Sequence, residues 1–243
     1  MSIEIVEITP EERCETLILG FPGVGLVGVI STDHIIRTAN LKRTAKVDSR
    51  EFPPIVRVVD GMAAEPISIY SGSGLYVMKG DVALPLQSIM GLITFTLDWF
   101  AKKKGRLAIM IEGIASENRL NKEKPEVFKI YSGEEAKELA DKVNAKPLPE
   151  GFVSGHIAYF IREAIYRGIP AIAILVECFP AYPDPGAAAE AIESLKPVMK
   201  LDIDVNPLIE KSEVVRHKMR ELMRQAMQVV QQTPGKAESL YIG

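Results

Sequence analysis

Gly20-Phe21-Pro22-Gly23-Val24-Gly25-Leu26-Val27-Gly28 packs four glycines besides Phe21-Pro22 into nine residues, and its reading decides the fold. The apolar run Thr16-Leu17-Ile18-Leu19 leads into it, and the amphipathic segment Val29 to Arg37 follows. Strand, glycine-rich turn and helix is the expected local order. Such a turn either cradles an anion on free backbone N–H groups at a helix N-terminus or lets strand and helix approach closely because no Cβ intervenes. Gly23, Gly25 and Gly28 are the candidate anion-binding residues on the first reading. Their spacing matches the dinucleotide fingerprint. Against it, Pro22 removes a backbone donor. The acid expected to end a second strand about 20 residues on is met only by Asp48, behind a weak strand at Lys42 to Val47. The packing reading is therefore favoured.

Outward from the loop, apolar runs alternate with helical patterns. A short edge strand is expected around Ile3, Ile5 and Ile8, and a compact β-branched strand at Ile55 to Val59. Ile67 to Tyr70 and Leu75 to Met78 flank Ser71-Gly72-Ser73-Gly74 and read as a hairpin. Pro85 opens a long helix to about Lys104, closed by Gly105 as its C-terminal glycine. Leu107 to Ile111 reads as a buried strand ending at Glu112-Gly113, and Ala115 to Pro125 as a loop. Val127 to Tyr131 alternates like a strand, and Glu134 to Val143 reads as a charged helix. Ser154-Gly155-His156 starts a helix ended by Gly168, and Ala171 to Cys178 is the most apolar strand. Asp184-Pro185 caps and opens a helix to about Met199. Strands alternating with helices predict an α/β body over residues 1–205, with a mainly parallel sheet covered on both faces.

A helix over 206–232 follows. Leu208, Val215, Leu222 and Val229 recur every seven residues, with Ser212, Met219 and Ala226 between them. This stripe either lies on the same subunit or forms an oligomer contact, for which Leu208, Val215, Met219, Leu222 and Val229 are the candidates. Residues 233–243 read as a flexible tail that ends in the apolar tip Leu240-Tyr241-Ile242 before Gly243. Apolar residues on such a tail suit a partner, so these three are the candidate partner-binding residues.

Composition narrows the function classes. Of the 243 residues 47% are hydrophobic and 25% charged, which predicts a folded globular chain. A net charge of −3 leaves no footprint for nucleic acid. Lys102-Lys103-Lys104 sits where cations favour a helix end. No 18-residue uncharged apolar run predicts a membrane span, and no basic-then-apolar leader is expected. Cys14 and Cys178 form no C-x-x-C pair, which fits buried thiols in a cytoplasmic protein. His34, His156 and His217 lack metal-site spacing. Cys178 ends a buried strand and reads as inert core. Asp184 reads as a helix cap, and Asp81 is left open. No catalytic set, metal or cofactor is expected.

Gly20 to Gly28 resembles the opening motif of the proteasome assembly chaperone 2 family. Gly155, Arg167-Gly168-Ile169-Pro170-Ala171 and Leu175-Val176-Glu177 resemble its penultimate helix–strand unit. Tyr182-Pro183-Asp184-Pro185-Gly186-Ala187-Ala188-Ala189 and Leu201-Asp202-Ile203-Asp204 resemble its later motifs. The resemblance implies a three-layer α/β/α fold like that of nucleoside phosphorylases. It also implies a homo-oligomer that acts as a non-enzymatic assembly chaperone or adaptor. Proteasome α-subunits, or another protein client, are the implied partners. In some members a hydrophobic–tyrosine–any tail docks between α-subunits. Leu240-Tyr241-Ile242 matches that triplet, with Gly243 displacing the end by about 3.5 Å along an extended chain. The competing reading is a small-molecule enzyme or binder that uses the loop at Gly23 to Gly28 for an anion.

Overall fold

The computed structural model describes residues 3–8, 13–50, 52–215 and 217. Nine strands form one sheet in the order β1 (Ile3–Glu7), β3 (Lys42–Ser49), β6 (Ile67–Gly72), β7 (Leu75–Gly80), β2 (Thr16–Gly20), β8 (Leu107–Ala115), β11 (Ala171–Cys178), β9 (Val127–Tyr131) and β10 (Lys146–Pro147). The middle, β7-β2-β8-β11, is parallel. Its register stacks Val77, Ile18, Ile109 and Ile172 across the sheet. These strands read as unbroken apolar runs because helices cover both of their faces.

The flanks correct the expectation of a mainly parallel sheet. β1, β3, β6 and β7 pair antiparallel, as do β11 and β9, so the sheet is mixed. The reason is connection length: the tight turn at Ser73-Gly74 can only return the chain antiparallel, whereas a parallel pair needs a long crossover. Ile55 to Val59 corrects a second expectation. Only Arg57–Val59 (β4) is strand, and it pairs with Met62–Ala64 (β5) outside the main sheet.

One face carries α1 (Val27–Thr38), α3 (Glu134–Ala140) and α5 (Pro185–Met199); the other carries α2 (Leu86–Lys102) and α4 (Gly155–Arg167). In α2, Ile89, Leu92, Ile93, Leu97 and Phe100 recur at helical spacing and are buried, whereas Leu86 and Phe95 face out. Trp99 of α2 meets Tyr76 of β7 edge-on, with ring centroids 4.9 Å apart. Gly168 ends α4 in the left-handed conformation, as expected. At the end of α2 the left-handed residue is Lys104, not Gly105. Gly105 is there for space, since a Cβ would strike the Phe100 ring.

Residues 206–215 are helical and are labelled α6. Leu208 is buried in the core shared by α1, α3 and α5, and Ser212 lies against Gly186 at the start of α5. Within the described residues no helix is long and apolar enough to cross a membrane.

Candidate functional site

The C-terminal ends of the parallel strands gather β2's glycine loop, the end of β8, the start of α4 and the β11–α5 turn. In open α/β sheets this edge is where ligands bind. Each loop glycine has a packing reason. A Cβ on Gly20 would overlap Gly28 O and sit 2.7 Å from Thr32 Oγ1. A Cβ on Gly28 would lie 2.6 Å from Ile111 O, so α1 touches β8 backbone to backbone there. Gly25 takes φ +63° with Cys178 Sγ beside it, a conformation that suits glycine. A Cβ on Gly23 would fall into the Glu112 carboxylate.

The loop is poorly shaped as an anion cradle. Residues Val24–Leu26 form a short 3-10 turn in which Leu26 N–H donates to Gly23 O at 3.0 Å, and Val27 N–H donates to Val24 O. Two of the amides an anion needs are thus spent. Asp48 lies on β3, separated from β2 by β6 and β7, whereas the ribose-binding acid of a dinucleotide site stands at the end of the next strand of its own unit.

Below Gly23 lies a carboxylate–imidazole pair in an apolar setting. Glu112, at the end of β8, is only 7% exposed. Gly113 N–H donates to its Oε1 at 3.1 Å, and His156 Nε2 hydrogen-bonds Oε2. His156 comes from the first turn of α4, 44 residues away in sequence. A cavity of about 500 Å³ opens against both, walled by Val24, Ile114, Leu148, Phe152, Val153 and Leu175. Its size and its apolar walls around one polar pole are those of a small-molecule site.

An ion pair holds the rim. Arg119 and Asp184 have side chains 1% and 0% exposed. Arg119 Nε and Nη2 donate to the two Asp184 oxygens at 2.7 and 3.1 Å. Asp184 also accepts from Ala187 N–H at 2.9 Å, which is the expected cap of α5, and its own N–H donates to Gly25 O at 2.9 Å. Asp184 therefore ties the 116–125 loop and α5 together through its carboxylate, and the glycine loop to them through its backbone N–H. Cys178, buried beside it, has its thiol pushed up to about 12 by burial, then by the charges of Asp184 and Glu112. That keeps it an inert thiol. Asp81, left open by the sequence, pairs with Lys79 at 2.9 Å and Arg57 at 3.2 Å, and Lys79 also pairs with Asp33 at 2.5 Å.

The arrangement holds a pocket and a rigid rim, and among the described residues of that edge it sets the Glu112–His156 pair against the pocket. A model of the PAC2 family matches residues 17–223. The chain belongs to the PAC2 family. Among solved structures, Pyrococcus furiosus PbaA, an archaeal homolog of proteasome-assembly chaperone, superposes with a TM-score of 0.79 at 25% identity, covering 94% of this chain and 99% of PbaA. Pyrococcus furiosus PbaB, an archaeal proteasome activator, shares the fold with a TM-score of 0.79 at 19% identity, covering 91% of this chain and 98% of PbaB. In sequence, the Methanocaldococcus jannaschii protein MJ0106 is 27% identical over 215 residues, 88% of this chain and 87% of its own.

Within this PAC2 chain the structure brings Gly23, Gly25 and Gly28 together at the strand ends. Leu208 is corrected as an oligomer contact: it is buried in its own subunit's core, because α6 docks there on α1 and α5. Val215 is half-buried. Met219, Leu222, Val229, Leu240, Tyr241 and Ile242 lie outside the described residues. His34 meets Asp204 O at 2.6 Å, holding α1 to the lead-in of α6. Sequence reasoning passed over Glu112, Arg119 and the role of His156. The signal for Glu112 was present: a lone acid closing an apolar strand, followed at once by glycine.

Proposed function

We propose that this PAC2 protein is a non-enzymatic, homo-oligomeric assembly chaperone or adaptor of the cytoplasm. Its body serves as a scaffold, and Leu240, Tyr241 and Ile242 are presented to a protein partner, with proteasome α-subunits the first candidate. The observation that carries this reading is the likeness to PbaA, at 25% identity over nearly the whole of both chains. Exposed apolar side chains support a protein-binding role: Val56, Val58 and Met62 are 64%, 65% and 72% exposed on the β4–β5 arm. The stripe of Val215, Met219, Leu222 and Val229 would join subunits, and several joined tails would convert weak contacts into avidity.

Capture by immobilised proteasome α-subunits tests it, comparing the full chain with one ending at Ser239. The full chain is expected to be retained and the shortened chain to be lost. Equal retention of both refutes the tail's role, and retention of neither refutes the partner. Native mass measurement of both proteins checks that they form the same oligomer.

A further inference from the structure

We infer that the cavity at Glu112 and His156 binds a small, mostly apolar molecule whose polar end donates hydrogen bonds. This goes beyond the chaperone reading and does not depend on it. A carboxylate buried at the end of a central strand is costly unless it is paired, and an apolar residue there would continue the run of β8 without that cost. Glu112 is instead held in place by two separate elements. Gly113 N–H and His156 Nε2 each take one of its oxygens, while Gly23 and Gly113 supply the space in which Val24 and the carboxylate sit.

What the pair leaves over defines the ligand. An ionised carboxylate has about four acceptor positions, and two are used here. The other ring nitrogen of His156, Nδ1, takes no part in this bond. It has no partner among the described residues. The polar pole of the cavity is therefore the Glu112 carboxylate with acceptor positions to spare, and the rest of its wall is Val24, Ile114, Leu148, Phe152, Val153 and Leu175. An alcohol, amide or amine on an aromatic or branched aliphatic body fits this surface. An anion does not, because the Glu112 carboxylate already occupies the place above which Gly23 lies.

The test uses the full chain and three probes of similar size: benzyl alcohol, benzamide and benzoate. The three histidines give three imidazole spin systems in nitrogen–proton correlation spectra, and His156 is assigned with the His156→Asn variant. Benzyl alcohol and benzamide are expected to shift the His156 ring signals saturably while His34 and His217 stay still. Benzoate is expected to bind about tenfold more weakly or worse. Glu112→Gln keeps the shape, removes the charge, and is expected to abolish that discrimination. Phe152→Ala, at a fully exposed position, is expected to weaken every probe while leaving thermal unfolding unchanged. The inference is overturned if no probe shifts His156 up to millimolar concentration, if benzoate binds as well as benzamide, or if Phe152→Ala changes nothing. Retention by α-subunits reads out separately, so failure of either reading leaves the other standing.

Discussion

Arg119→Met is expected to destabilise the fold by about 3 kcal/mol, near the lower end of the range for breaking a buried ion pair. The figure follows from what Asp184 keeps. Its carboxylate loses two Arg119 donors but retains Ala187 N–H at 2.9 Å and Phe179 N–H at 3.3 Å, so it is not stranded. Asp184→Asn is expected to cost more, about 4 kcal/mol, because a buried guanidinium is left without its counter-charge. Arg119 then keeps one uncharged amide oxygen in place of the carboxylate, with Lys122 O at 2.8 Å and the face of Phe179, 5.2 Å away. For 243 residues, an unfolding entropy of about 2.1 cal/mol/K per residue makes 3 kcal/mol a drop of about 6 °C in Tm. Urea unfolding at one fixed protein concentration measures all four members of the double-mutant cycle, since the proposed subunit association would add a concentration-dependent contribution. The double variant is expected to lose less than the sum of the single losses, by about 2 kcal/mol or more. If Arg119→Met costs less than about 1 kcal/mol, or the two changes add within about 0.5 kcal/mol, the clamp does not hold the rim as argued.

Gly20→Ala is expected to cost about 3 kcal/mol or more, read from the urea midpoint, because the new methyl overlaps the backbone of α1 and overpacking forces the helix off the strand. Cys178 is expected to resist iodoacetamide at pH 8 in the native protein and to react at once in urea, since burial pushes its thiol up to about 12; rapid native labelling would contradict the buried geometry. Asp33 and Glu177 predict an acid limb. Burial pushes both carboxyls up, but Lys79 and Arg37 beside Asp33, and Lys122 and Glu126 N–H beside Glu177, outweigh it and hold both below their ordinary values. Their contribution is full above the ordinary carboxylate range of about 3.9–4.3 and is lost as pH falls through their lower folded values. Lys122→Gln is expected to flatten that loss in urea midpoints taken from about pH 5 to about pH 2.

Much of the body was legible in its residues. Helical spacing in α2, the cap Asp184-Pro185 and the left-handed Gly168 are local devices, readable because their partners lie within a turn or two of chain. The hairpin β6–β7 was legible for the same reason, through its turn. Ile55 to Val59 misled because β propensity states what suits a pleated surface, not which sheet accepts the strand. Gly105 misled because a glycine required for space and one required for a left-handed turn look alike in sequence.

The chain by itself determined the strand–loop–helix at Gly20 to Gly28, the α/β alternation and the motifs of its family, because these rest on periodicity and on turn chemistry over a few residues. Only the tertiary structure decided what the loop faces. Glu112 and His156 stand 44 residues apart, and Arg119 and Asp184 65 apart, each on a different element. Their meeting depends on β8 lying between β2 and β11 and on which face each helix covers. Strand order follows from the packing of the whole sheet, so no local pattern of residues encodes it.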